Sequence, residues 1–153
     1  MIIDTLTQFC TAASVAASVG TTLIGNQIDT ATAGELDVDN LYLTIVATSA
    51  IVAAGAGTIQ FKLASDISAA IATDGTAQIE FSVPAFVTSA TPIPYGTVLF
   101  EGELPANVGT YNPNRRYLGL LEVVMGSAVT SGNVTAFLGL DGGRWAATPI
   151  AAN

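Results

Sequence analysis

Apolar and polar residues alternate with the two-residue period of a strand over most of this chain, rather than with the 3.6-residue period of a helix. In Thr58–Leu63, Ile59, Phe61 and Leu63 alternate with Thr58, Gln60 and Lys62. In Gln78–Val83, Ile79, Phe81 and Val83 alternate with Gln78, Glu80 and Ser82. Each segment therefore predicts a strand with one core face and one wet face. Further strands are predicted at Leu41–Val46, Thr97–Leu104, Arg116–Met125 and Asn133–Leu140, with a weaker one at Leu23–Ile28. The alternation breaks between Leu120 and Leu121, which predicts either a bulge or a strand buried on both faces.

Turn signals separate these segments: Gly55-Ala56-Gly57, Asp74-Gly75, Pro92-Ile93-Pro94-Tyr95-Gly96, Asn112-Pro113-Asn114, Ser131-Gly132-Asn133 and Asp141-Gly142-Gly143. Short strands punctuated in this way predict an all-β antiparallel sandwich or barrel. Helical signals are few. Asp66 is placed to cap one or two turns through Ile67–Ile71, and Thr11–Val19 reads as a short helix or an extended arm. Residues 1–20 and 142–153 read as arms flanking a single domain over residues 21–141, with Leu6, Phe9 and Trp145 as apolar anchors.

Composition changes this picture in one respect. Hydrophobic residues make up 50% of the 153 residues and charged ones only 10%, against about 25% charged in an average soluble domain. So few charges leave apolar surface to be covered by a partner or by further copies of the chain. The net charge is −8, with Lys62, Arg115, Arg116 and Arg144 as the only basic residues. Nucleic-acid binding needs clustered cations to neutralise phosphates, and this chain has one adjacent pair. The charge-free stretch Leu41–Gly57 is short for a membrane helix and has no flanking cation, so no membrane span is expected.

Candidate chemistry is sparse. The absence of histidine removes Ser-His-Asp and Cys-His machinery and the usual imidazole metal sites. Cys10 stands alone, so it forms no disulfide within the chain and reads as a buried, inert thiol. No phosphate-cradling glycine motif occurs. Asp37 with Asp39, and Glu101 with Glu103, stand two apart, which on a strand puts both carboxylates on one face. Such a pair can share a proton or hold Ca²⁺. The plainer reading, a solvated face or loop, fits better because few further oxygens accompany them. Asn133-Val134-Thr135 matches a glycosylation acceptor, but it falls within a predicted strand. The start, Met1-Ile2-Ile3-Asp4, lacks the positive charge of a secretory signal, which predicts synthesis in the cytosol without export. No enzyme, cofactor or small-molecule substrate is expected. A carboxylate-based glycosidase is the enzymatic rival, and the scattered acids argue against it.

Several segments carry a resemblance, in order and from end to end: Met1-Ile2-Ile3-Asp4-Thr5-Leu6-Thr7-Gln8-Phe9, Asp39-Asn40-Leu41-Tyr42-Leu43, Gly96-Thr97-Val98-Leu99-Phe100, Pro113-Asn114-Arg115-Arg116-Tyr117-Leu118-Gly119-Leu120, and the run from Ser131 to Asp141. In these the chain resembles the capsid cement proteins of tailed bacteriophages, of the type found in a short-tailed Bordetella phage. Cys10, Gly25-Asn26-Gln27 and the Arg144–Asn153 tail lie outside the likeness. The resemblance implies a jelly-roll β-sandwich, a homo-oligomer (dimer or trimer), made in the host cytoplasm and placed on the outer surface of an icosahedral head. There it would bridge major capsid protein subunits and reinforce the shell. On that reading Leu6 and Phe9 would seat the N-terminal arm in an apolar groove. Tyr111, Arg115 and Arg116 would form a polar contact patch, with the arginines offering bidentate bonds to capsid carboxylates. Trp145 would be an interface anchor or cover one end of the sandwich. The alternative is a head-fibre, tail or carbohydrate-binding sandwich of a virion.

Overall fold

In the computed structural model of this chain, the described residues are 7–32, 41–88, 91–106, 108 and 112–139. Eleven strands follow one another: β1 (Gln8–Ser14), β2 (Gly20–Asp29), β3 (Tyr42–Ala47), β4 (Val52–Ala53), β5 (Gly57–Asp66), β6 (Gln78–Ser82), β7 (Phe86–Thr88), β8 (Val98–Glu103), β9 (Tyr117–Met125), β10 (Val129–Ser131) and β11 (Asn133–Gly139). All pairings are antiparallel. One sheet has the order β1-β11-β3-β8, and the other has β2-β9-β5-β6 with β7 also on β5. A small ribbon pairs β10 with β4. The protein is all-β, and the described residues contain no α-helix.

The alternation read from sequence accounts for the core. Ile59, Phe61 and Leu63 of β5 turn inward with Leu120 and Val124 of β9. They meet Leu43 and Ile45 of β3 and Val134, Ala136 and Leu138 of β11, which belong to the facing sheet. The phase break at Leu120-Leu121 is a strand buried on both faces, not a bulge. β9 keeps unbroken register with β5 from Met125 to Tyr117. Leu120 joins the inner core while Leu121 joins a second, smaller cluster with Ala64, Ile71 and Ala77.

Three segments depart from the expectation. Gln8–Ser14, placed in the N-terminal arm, is β1, so the boundary expected at residue 20 falls inside the sandwich. Its alternation was hidden because Phe9 and Cys10 are both buried and the register slips between Cys10 and Ala13. Within that slip Ala12 takes a left-handed φ of 48°, a conformation that disfavours any residue with a Cβ. Side chains of β11 hold it there: Ala12 N donates to Thr135 Oγ1 at 3.0 Å and Asn133 Nδ2 donates to Ala12 O at 2.7 Å. Two residues of the glycosylation-like triplet are thus bound to the neighbouring strand.

The helix expected after Asp66 is a run of bends instead. The Asp66 carboxylate accepts from the amides of Ser68 and Ala72, and Ser68 Oγ accepts from Ala70 N. These side-chain acceptors offer the backbone an alternative to helical bonding. Ile79, expected on the core face of β6, is 42% exposed. A register shift leaves Glu80 as an extra residue between Phe81 and Ile79, which turns Ile79 to the outer side opposite Ala64. The charge-free stretch from Leu41 to Gly57 consists of β3, β4 and their turn, and no helix among the described residues is long and apolar enough to cross a membrane.

Contacts across the sandwich close both of its sides. Gly25, at φ 65°, lets β2 approach β1 so closely that a Cβ would collide with the carbonyl oxygen of Phe9. On the opposite side, the rings of Phe81 and Phe100 pack with centroids 5.0 Å apart, joining β6 to β8.

Candidate interaction surface

The residues singled out from sequence scatter once placed. Phe9 is not an arm anchor seated in a partner's groove: it is fully buried in the protein's own core. Only strand pairing of β1 with β11 brings it there, so its apolar side chain is unavailable to another subunit. Cys10 lies beside it, buried, and its Sγ donates to Val134 O at 3.5 Å. Burial pushes the thiol pKa up, which suits the inert role expected of it. Leu6, Tyr111 and Trp145, together with Asp37 and Asp39, fall outside the described residues.

Arg115 and Arg116 immediately precede β9, and each is tied within the chain. Arg115 Nη1 meets Glu80 Oε1 at 3.1 Å, and the same oxygen accepts from Ser65 Oγ. Arg116 forks onto Asp29, Nε to Oδ1 at 2.8 Å and Nη2 to Oδ2 at 2.6 Å. Its guanidinium also stands 5.2 Å from the centroid of the Tyr117 ring. The Arg116 carbonyl accepts from both the amide and the hydroxyl of Thr30. Arg116 holds the Asp29 carboxyl well below the usual carboxylate range, first through this side-chain bond. Both arginines therefore clamp strand ends: β2 to β9 through Asp29, and β6 to the approach to β9 through Glu80.

Glu101 and Glu103 do share one face of β8, opposite Thr44 and Tyr42 in the ladder. Among the described residues no three acidic, histidine or cysteine side chains gather in a way that could hold a metal ion.

The surface with most to offer a partner is the outer face of the five-stranded sheet. Its rows follow from register. Val87, Thr58 and Met125 are successive neighbours across β7, β5 and β9. The next row is Gln60, Val123 and Thr21, and the third contains Lys62, Leu121 and Leu23. The third row and those beyond it are roofed by the segment between β5 and β6. Ile71 and Ala77 pack there on Ala64 and Leu121, with Leu23, Ala72 and Tyr117 at the rim. Gly119 makes room for this roof, since a Cβ there would lie 2.6 Å from Ile71 Cγ1. Among the described residues, the first two rows lie outside that roofing cluster and contain no charged side chain. Val87 is 67% and Met125 47% exposed, and Val19, just before β2, is 57% exposed. An uncharged patch across three hydrogen-bonded strands, on a chain with net charge −8, is the kind of surface that marks protein contact.

Sequence reading assigned Met125 to a strand but could not mark it as surface. In-phase apolar residues look alike whether they face the core, a roofing loop or solvent.

No protein-family model matches the chain, and neither does any curated protein.

Proposed function

We propose that this chain is a structural virion protein that docks on the outer surface of an icosahedral phage head, bridges major capsid subunits and stabilises the shell. The observation that carries this reading is the bare, uncharged patch of Val87, Thr58 and Met125 on a braced two-sheet scaffold. A stiff sheet face loses little freedom on binding, so apolar area buried there converts efficiently into affinity. Binding the assembled shell, and not separated subunits, would shift the assembly equilibrium towards the shell. Many equal copies would make that effect multivalent. A homo-oligomer, dimer or trimer, fits the low charge content of the chain.

The strand orders support a jelly-roll reading. Counting β6 and β7 as one interrupted strand and leaving out the short β4 and β10, eight strands remain in sequence. The first pairs with the last (β1 with β11), the second with the seventh (β2 with β9), the third with the sixth (β3 with β8), and the fourth with the fifth (β5 with β6). A folded antiparallel ribbon rolled into two sheets has this nesting. The pairs β11 with β3 and β9 with β5 complete the two sheets.

A second reading, a glycan-binding sandwich on a head fibre or tail, draws on Tyr95, which is 76% exposed in the turn before β8. The two readings separate in one experiment: co-sedimentation of the purified protein with undecorated phage heads, alongside its mass in solution. Saturable binding at a fixed ratio to the capsid subunit, with heads then surviving more heat, is the expected result. Absence of binding to such heads, with specific binding on a glycan array, would move the assignment to the second reading.

A further inference from the structure

Glu122 occupies a place that the docking function does not use. β9 runs between β2 and β5, and its side chains Leu118, Leu120 and Val124 point into the core. Alternation puts Glu122 in that same inward row. Its neighbours across the ladder are Phe61 on β5 and Thr22 on β2. The residue is 1% exposed, and its Oε1 has no hydrogen-bond partner among the described residues. A buried carboxylate in that position is expensive unless it is paired or protonated.

Among the described residues, nothing on the surrounding elements supplies a countercharge. Inward residues of its own sheet include Ile24, Ile59, Phe61 and Leu63, with Thr22 at the exposed edge, and those of the facing sheet include Phe9, Leu43, Ile45, Val134, Ala136 and Leu138, none of which ionises. Among the described residues, the other titratable side chain of the core is Cys10, whose thiol donates to Val134 O. Lys62 is the register partner of Leu121, so it lies on the opposite face from Phe61 and Leu63. Arg116 is six residues up the chain, roughly 20 Å along a strand, and is held by Asp29; Arg115 is held by Glu80.

We propose that Glu122 is a proton-operated switch in the sandwich core: neutral, it lets the sheets close on a dry interior, and ionised, it loosens them. Burial pushes its carboxyl up to about 7 from 4.5, which agrees with this geometry. Because the folded value lies above the unfolded one, the folded state binds the extra proton. Stability is therefore complete below about 4.5, falls as pH rises through about 7, and is flat above that. The inference stands independently of the capsid reading.

The test is denaturant unfolding of the full chain between about pH 5 and about pH 8, for the native protein and Glu122→Gln. Glu122 is expected to lower the native folded-to-unfolded ratio by about seventyfold over that range. Glu122→Gln should lose that drop and exceed the native protein at the alkaline end. Equal pH slopes in the two proteins would overturn the proposal. If Glu122→Gln fails to fold, the carboxyl carbon of Glu122 in the native protein decides by NMR titration. A midpoint near neutrality upholds the switch, and one in the ordinary glutamate range refutes it.

Discussion

Two halves of one sheet face have been treated differently by the same chain. Towards Tyr117, the outer side of the five-stranded sheet is roofed: Ile71 and Ala77 cover Ala64 and Leu121, and Asp66 accepts the amides that hold the roofing segment in place. Towards Met125, the same strands present Val87 and Met125 to solvent at 67% and 47% exposure. Both halves are built from the same alternating pattern, so strand formation alone does not explain the difference. One half is satisfied within the fold. The other is uncharged and leaves Val87 and Met125 exposed, which is the physical basis for assigning it to a partner.

The contrast can be broken from either side. The largest expected effect is on the roofed half: Ile71→Ala should destabilise the fold by about 2–5 kcal/mol, because it empties a buried site over Gly119. Urea unfolding measures this, and protein that remains folded should still bind heads. Val87→Asp and Met125→Asp on the open half should reverse that pattern. Stability should stay within about 0.5 kcal/mol of native. Affinity for undecorated heads should fall by tenfold or more for each, about 1.4 kcal/mol per factor of ten. Co-sedimentation titrations read the loss, and unchanged affinity in both variants would erase the distinction between the halves.

A smaller effect concerns acid. The amides of Ala72 and Ser68 hold the Asp66 carboxyl below its ordinary value, the Thr76 hydroxyl and amide do so for Asp74, and Arg116 does so for Asp29. A depressed folded value means stability that is present above the ordinary carboxylate range and lost as pH falls through the folded value. Together with the opposite trend from Glu122, this places maximum stability on the acid side of neutrality, near the ordinary carboxylate range. Thermal melting across that range should show the maximum, and Asp66→Asn should soften its acid limb. The smallest effect is expected from Arg116→Ala. It should lower the melting temperature less than Ile71→Ala does, by an amount that shrinks in salt, and leave head binding unchanged.

Much of the fold was legible in the pattern. β2, β3, β5, β6, β8, β9 and β11 correspond to segments whose alternation or apolar run predicts a strand. The rest was hidden for identifiable reasons. β4, β7 and β10 are two or three residues long, too short to display a period. β1 is disguised by the paired burial of Phe9 and Cys10 and by the slip around Ala12. Less of the site was legible. Arg115 and Arg116 stood out as the only adjacent cations, yet their carboxylate partners lie 35 and 87 positions away in the chain, which no local spacing reveals. The bare half of the sheet depends on where the segment after β5 folds back, and that is a tertiary fact. Glu122 did leave a signal: an acid in phase with Leu118, Leu120 and Val124 is a charge on a core face.

The most direct test of the docking surface is the oxidation rate of the Met125 thioether, followed by mass spectrometry, in free protein and in protein bound to heads. Met125 is 47% exposed when free, so it should oxidise readily in solution and become strongly protected on the head. Equal rates in the two states, at full decoration, would show that the shell is gripped by some other part of the molecule.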